Sequence, residues 1–392
     1  MYRTKPLERT HKLQRSIINR DVVSDTASAW SHTLAALFGP PEAQPTLTTS
    51  ATLKRHRREP ILSNDMDEIR VGGGPLRGLG SPTGRLLPGL RTSGRQKGCS
   101  GERISPPIPF VVGAGRSGTT LLRLMLDAHP HLAIPPETHF IHRAARRCGR
   151  AAEPRRTFLE IVTSHRRWED FQMEGALLRC RVADIEPFDL GEAVRAFYKL
   201  YAERFGKPRW GDKTPPYVHR MTVIQDLLPE ARFIHLIRDG RDVALSTLEL
   251  WFGPDSVEEA AQRWRTLIEN ARLQSDELSH YLEIRYEDLV LDTEQTLGKI
   301  SEFVELPWDP AMLAYHERAE ERMSELDRDV NAPKDERRVV RGEERKAIHA
   351  LTSKPPQQDR VSRWKSEMSV ADRERFEEIA GETLRGLNYE VA

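Results

Sequence analysis

Residues 113–120 read GAGRSGTT and follow the apolar run IPFVV. Glycines at Gly113, Gly115 and Gly118 let the backbone come close to oxygen atoms. In a strand–loop–helix unit, the successive N–H groups of such a loop and the helix N-terminus together form an anion site. Arg116 adds a planar set of donors, and Ser117, Thr119 and Thr120 add hydroxyls. A nucleoside triphosphatase loop would read GxxxxGKS or GxxxxGKT. Its lysine reaches the β- and γ-phosphates, while a loop hydroxyl and a strand-end Asp hold Mg²⁺. Here Thr119 stands where that lysine would be, so the loop suits a nucleotide carrying one terminal phosphate-like group. The same residues would also serve as a glycine-rich turn closed by Ser/Thr caps. The strand pattern before them and the helix pattern after them favour the anion site.

The elements that must position this loop begin at Pro107. Ile108–Gly113 has the pattern of a short buried strand, and TLLRLMLDA after the loop puts its apolar residues on one helical face. ARFIHLIRD (231–239) predicts a second buried strand feeding the helix GRDVALSTLEL, and YLEIRY (281–286) a third, followed by EDLV and a helix over 293–304. Amphipathic stretches at about 156–172 and 191–205 lie between the first two strands. Strands alternating with helices predict an α/β fold, a parallel sheet flanked by helices on both faces. The economical organisation is one domain over 107–392.

Residues 1–106 differ in character. GGGP, GSPTG and PPEAQP punctuate them, and no periodicity is sustained. Such a segment cannot bury enough apolar surface to offset the entropy of ordering it, so it is expected to be a mostly disordered extension. Residues 1–100 hold 16 Lys and Arg against 8 Asp and Glu; the remaining 44 basic and 51 acidic residues make the rest of the chain mildly acidic. The run KRHRR (54–58) reads as a solvated basic tail, and no nucleic-acid partner is expected. The apolar patch LAALF (34–38) is too short for a signal-peptide core, and no stretch approaches the roughly 20 apolar residues of a membrane span. Cys99, Cys148 and Cys180 show no CxxC spacing. They are expected to be reduced thiols of an intracellular, cytoplasmic protein.

Residues 110–142, FVVGAGRSGTTLLRLMLDAHPHLAIPPETHFIH, resemble the 5′-phosphosulfate loop region of sulfotransferases that use 3′-phosphoadenosine 5′-phosphosulfate (PAPS). The likeness is to the tyrosylprotein sulfotransferases and their bacterial relatives: RSGTTL, a helix ending DAHP and an E-T pair follow in the same order and spacing. The resemblance covers about 107–310 well and 350–390 loosely. It implies a P-loop NTPase-like sulfotransferase fold and PAPS as co-substrate, without a metal. A second block fits it too. Arg238 and Ser246 of FIHLIRDGRDVALS match the family's 3′-phosphate motif, and Tyr286 of RYEDLV matches a tyrosine that helps hold the nucleotide. Lys354, before Pro355 in SKPPQQDRVSRWK, matches a nucleotide-contacting lysine, and Trp364 is expected to pack either on the nucleotide or in the core.

Sulfuryl transfer asks for positioning and charge stabilisation, as phosphoryl transfer does. It needs a base for the acceptor proton and a cation at the bridging oxygen. The resemblance implies Glu137 of PPETHF as the base and Lys213 of WGDKTPPYV as the cation, with Arg116 neutralising the sulfonate side. Read locally, Glu137 is a first-turn glutamate after two prolines. Lys213 is a solvated residue before a helix with Thr214 as N-cap and Pro215 at its first position. His139 stands where the tyrosylprotein enzymes have Arg, so protein-tyrosine specificity is not carried over. The acceptor is expected to bear a hydroxyl or an amine. The pairs His129/His131 and His139/His142 lack a third ligand type for a metal. No GxSxG or HExxH supports a hydrolase. The competing readings are a nucleotide kinase or phosphohydrolase, against which the absent loop lysine speaks, and a non-catalytic nucleotide-binding protein.

Overall fold

The computed structural model describes residues 105–250, 253–332 and 338–391. The expected disordered extension, its KRHRR run and Cys99 therefore lie almost wholly or wholly outside the described residues. In chain order the elements that frame the molecule are β1 (Ile108–Gly113), α1 (Thr119–Asp127), β2 (Leu132–Ala133), α2 (Ile141–Cys148), α3 (Pro154–Thr163), α4 (Gly175–Ala183), α5 (Leu190–Glu203), β3 (Arg209–Trp210), β4 (Asp212–Lys213), α6 (Met221–Leu227) and β5 (Ala231–Ile237). They continue with α7 (Gly240–Leu248), α8 (Val257–Ser275), β6 (Tyr281–Arg285), α9 (Tyr286–Leu291), α10 (Thr293–Phe303), α11 (Ala319–Met323), β7 (Val330–Asn331), β8 (Val339–Val340), α12 (Gly342–Ala347), α13 (Trp364–Glu367) and α14 (Val370–Gly386).

The main sheet is parallel throughout, in the order β4-β1-β5-β6. β1 is central and buried at every position, as a parallel strand covered on both faces requires. Its side chains alternate between the faces. Phe110 and Val112 join Phe140, Phe158, Phe197 and Tyr198 in one core. Val111 joins Ile234, Leu236, Ile284 and the apolar face of α1 in the other. A third cluster, around Ile237, Trp264 and Phe376, packs α7, α8 and α14 together.

The chain leaves β1 for β4 on one side and then returns to β5 on the other. In open parallel sheets the crevice at such a switch point, beyond the carboxyl ends of the strands, is where ligands bind. Gly113 ends β1, Lys213 ends β4, Arg238 follows β5 and Tyr286 follows β6. Four of the expected site residues thus fall on one rim of the sheet.

The observed strands and helices match the expected α/β alternation, with two differences. The stretch 156–172 does not continue as one helix: α3 ends at Thr163, and a separate 3-10 turn covers Trp168–Phe171. β4, two residues long, was not anticipated because Asp-Lys carries no strand signal of its own. It exists through its pairing with Phe110 and Val111. Cys148 is buried and Cys180 exposed, and neither forms a disulfide. No described helix is long and apolar enough to cross a membrane.

Gly240, the first residue of α7, sits where a Cβ would lie 2.5 Å from the Trp264 ring and 2.6 Å from Phe376. Gly240→Ala should overpack the junction of α7, α8 and α14 and destabilise the protein by about 1–3 kcal/mol. Urea denaturation measures this as a lowered midpoint.

Candidate active site

The loop after β1 turns sharply into α1. Arg116 adopts φ +69 and Gly118 φ +91, left-handed conformations that are uncommon for a residue bearing a side chain. Glycine is needed at 118 for a second reason: a Cβ there would lie 2.4 Å from the Tyr286 ring. Tyr286 is thereby pressed against the loop. The Ser117 hydroxyl is buried without a hydrogen-bond partner, as is Arg116 Nε, and the space beside Gly115 is open. Thr119 and Thr120 are buried at the start of α1, whose first-turn amides have no preceding helical carbonyls. An orphaned hydroxyl, an orphaned guanidinium nitrogen and open space above the glycine fit an anion lying along the loop.

Glu137 and Lys213 meet beside it. Lys213 Nζ donates to Glu137 Oε1 at 2.7 Å and lies 3.4 Å from Thr120 Oγ1, so one ammonium group touches both the carboxylate and the loop. The other oxygen, Oε2, accepts from Arg167 Nη1 at 2.9 Å and from His139 Nε2 at 3.0 Å. Burial alone would raise the Glu137 carboxyl, but Lys213, the His139 bond and Arg167 outweigh it and hold the group well below the usual carboxylate range. Burial pushes Lys213 and His139 down, against the opposing pull of Glu137. His139 has a left-handed conformation with φ +54; its Nε2 also lies 3.3 Å from Arg167 Nη1, and its ring is stacked 6.2 Å from that of His165.

A buried polar network fixes the two residues that flank this pair. Asp212 Oδ2 accepts from Tyr198 OH at 2.8 Å, Thr138 Oγ1 at 2.9 Å and Thr214 Oγ1 at 3.3 Å. The Thr138 amide donates to Thr214 Oγ1 at 2.9 Å. Thr138 follows Glu137 and Asp212 precedes Lys213, so the network clamps the two chain segments together. It also corrects two local readings. Thr214 occupies the N-cap position of a 3-10 turn, Pro215–His219, without a side-chain cap bond; its hydroxyl serves the network instead. Lys213 is not solvated but 3 % exposed.

Arg238 and Tyr286 of the second block converge on the same loop. Arg238 Nη1 donates to the Arg116 carbonyl at 3.2 Å, and its guanidinium lies 4.5 Å from the centre of the Tyr286 ring. Arg238 Nη2 donates to the Arg360 carbonyl at 2.6 Å and lies 3.4 Å from Asp242 Oδ2. Burial, then Arg238 and Arg360, depress the Arg116 guanidinium, the signature of cations crowded together. Ser246 sits half-buried on α7, one turn beyond Asp242. Trp364 is buried under the Arg241 guanidinium at 3.5 Å, with its amide bonded to Asp242. Lys354 is exposed, and its carbonyl accepts from Tyr315 OH at 2.5 Å.

Three contributors were missed in the sequence: Arg167, Arg360 and His349. His349 follows Ile348, whose carbonyl accepts from Arg116 Nη1 at 2.8 Å. Burial, reinforced by Lys213 and Arg116, pushes its imidazole down to about 3. Arg167 lies within the amphipathic stretch 156–172 and Arg360 within the segment SKPPQQDRVSRWK, but neither pattern singles them out, and His349 lies in no motif. Among the described residues no group of three or more His, Cys, Asp or Glu converges as a metal site. His129 is engaged at both ring nitrogens, by the Pro307 carbonyl and the His131 amide.

Residues 107–310, about half of the chain, match the sequence pattern of the Sulfotransferase family. The chain belongs to the sulfotransferase family. Among its relatives, a protein-tyrosine sulfotransferase of Drosophila melanogaster is 29 % identical over 220 residues, covering 54 % of this chain and 40 % of that protein. Protein-tyrosine sulfotransferase 1 of Homo sapiens is 28 % identical over 220 residues, 54 % of each. The chain spans about half the length of the curated relatives it matches. Among solved structures, the sulfotransferase domain from the curacin biosynthetic pathway gives a TM-score of 0.49 at 21 % identity, over 74 % of this chain and 99 % of that one. A mouse sulfotransferase complexed with PAP gives 0.36 at 14 % identity, over 71 % of this chain and 85 % of that one.

Asp212 yields a test of the clamp that holds this sulfotransferase site. Burial raises its carboxyl from the ordinary 3.8 to about 6, against the hydrogen bonds from Tyr198, Thr138 and Thr214. Between about pH 4 and 6 the folded protein therefore retains a proton that the unfolded chain releases, so this residue's contribution to stability falls as pH rises. In Asp212→Asn that decline should vanish. Urea midpoints compared between variant and wild type across this range measure it.

Proposed function

We propose that this protein transfers the sulfuryl group of PAPS to a hydroxyl or amine acceptor, with Glu137 as base and Lys213 as the cation at the leaving oxygen. The observation that carries the reading is the Lys213 ammonium group, within bonding reach of both Thr120 on the loop and the Glu137 carboxylate. The residues that would hold the nucleotide are Gly113–Thr120 at the 5′ end, Arg238 and Ser246 at the 3′-phosphate, and Tyr286 between them, with Lys354 as a further contact. When bound, PAPS supplies an electrophilic sulfur whose departing group is a phosphate oxygen.

The chain's own residues have four tasks. The loop amides, Ser117 and Arg116 bind and orient the anionic end. Glu137, ionised at neutral pH through its cations, accepts the acceptor's proton at a carboxylate oxygen. Lys213 stabilises negative charge on the loop side, from a position fixed by the strand pairing of β4. Buried Thr138, Tyr198 and Asp212 keep Glu137 and Lys213 in register. The curated relatives named protein-tyrosine sulfotransferase support a protein hydroxyl as one acceptor class to try first.

Incubation with radiolabelled-sulfate PAPS and candidate acceptors, with and without Mg²⁺, tests the reading. Transfer that needs no metal supports it, whereas Mg²⁺-dependent loss of a γ-phosphate from ATP or binding without turnover overturns it. Glu137→Ala should retain affinity for adenosine 3′,5′-bisphosphate and lose about 10²–10⁴-fold in turnover; wild-type rates would remove Glu137 from the role. Arg238→Ala should weaken PAPS about 10- to 100-fold and an analogue lacking the 3′-phosphate far less, as calorimetry would measure. Equal losses for both nucleotides would count against the 3′-phosphate assignment.

A further inference from the structure

Glu137 is gripped from two directions, and only Lys213 has a place in the reaction as proposed above. The second cation, Arg167, lies between α3 and the 3-10 turn Trp168–Phe171, with its side chain 15 % exposed. Arg167 Nη1 donates to Glu137 Oε2 at 2.9 Å, and Nε donates to Asp170 Oδ2 at 3.1 Å. Asp170 is buried and accepts a two-pronged contact from Arg345 on α12, 3.0 Å from Nη1 to Oδ1 and a second from Nη2 to Oδ2. Arg345 also donates to the Arg328 carbonyl at 2.8 Å. A continuous line of ion pairs therefore runs from Glu137 through Arg167 and Asp170 to α12.

We propose that Arg167 is a positioning residue for sulfuryl transfer: it fixes the outer carboxylate oxygen of Glu137, and Asp170 and Arg345 in turn fix Arg167. The proposal rests on the reading of Glu137 as the acceptor base. Its physical content is a division of labour between the two carboxylate oxygens. Oε1 is bonded to Lys213, which also faces the loop and whose charge serves the leaving oxygen. Oε2 is bonded to Arg167, which is held by a second carboxylate, that of Asp170. A carboxylate tied by Lys213 alone would follow the lysine as it turns toward the loop. One tied also to an immobilised guanidinium keeps its orientation. His139 Nε2 lies 3.0 Å from the same oxygen. The other groups facing the pair are Lys213 from β4, Arg166 and His165 beside Arg167, and His349 after α12.

Isotope-labelled glutamate carboxyl resonances, with that of Glu137 assigned by its loss in Glu137→Gln, read the grip directly and without any acceptor. In the wild-type protein the Glu137 resonance should stay at its ionised position to well below the ordinary carboxylate range. Arg167→Gln should move its midpoint up by about one unit, tenfold in the ionisation equilibrium. Arg167→Lys should restore most of that shift, and adenosine 3′,5′-bisphosphate should bind all three proteins alike by calorimetry. A midpoint unmoved in Arg167→Gln overturns the proposal, as does a bisphosphate affinity lost in parallel. Should Arg167→Gln fail to fold, Arg167→Met decides: an upward shift supports the proposal and an unchanged midpoint overturns it. Full transfer activity in Glu137→Gln would sink the base assignment instead, a result separate from any titration outcome.

Discussion

Parallel pairing is the constraint on which this molecule depends. Because β4, β1, β5 and β6 all run the same way, their carboxyl ends share one rim, and each contributes a functional group there without any long-range search by its side chain. Gly113 and Leu236 stand opposite each other in the ladder, so the loop after β1 and the Arg238 end of β5 are neighbours by register. Val111 pairs with Lys213, which sets the ammonium group at the height of the loop. The apolar residues between these ends hold the rim together. Phe110, Val111, Ile234 and Leu236 are wholly buried, and the alternation of their side chains secures both faces at once.

Charge is the second organising quantity. The rim gathers Arg116, Lys213, Arg238, Arg360 and Arg167, against the carboxylates Glu137, Asp170 and Asp242. Removing one partner of a buried pair costs about 3–5 kcal/mol, so the cations are distributed onto whatever acceptors the fold supplies. Around Glu137 those acceptors are carboxylates, and the cations paired with Glu137 give it its low proton affinity. Around Arg116 and Arg238 they are mostly backbone carbonyls, at Arg116, Ile348 and Arg360. The two halves of the site thus differ in kind: one is an ion-pair network and the other a cluster of cations resting on neutral oxygens.

Much of this was legible in the residues because the informative positions are local. A buried run, a glycine loop and an amphipathic stretch announce β1, the turn and α1 within twenty residues, and the strand-end arginine before Asp239 marks the end of β5 in the same way. What could not be read was whatever exists only by pairing across the chain. β4 is two residues that become a strand because β1 offers them an edge. Thr214 before two prolines has the local form of a helix cap, yet its hydroxyl is claimed by Thr138 and Asp212 from elsewhere in the fold. Nothing in the amphipathic stretch 156–172 singles out Arg167, and His349 lies in no motif; only the folded chain brings both beside Glu137.

The carbonyl clasp on Arg116 and Arg238 has a consequence for recognition. An anion arriving at these side chains competes with peptide oxygens of the protein itself rather than with bulk water. The Arg238 guanidinium is already buried and held over the ring of Tyr286, so little reordering of its own is left to occur. The carbonyls of Ile348 and Arg360 are the acceptors that such an anion would displace. The loop after β1 is thereby coupled to a segment more than two hundred residues further along the chain.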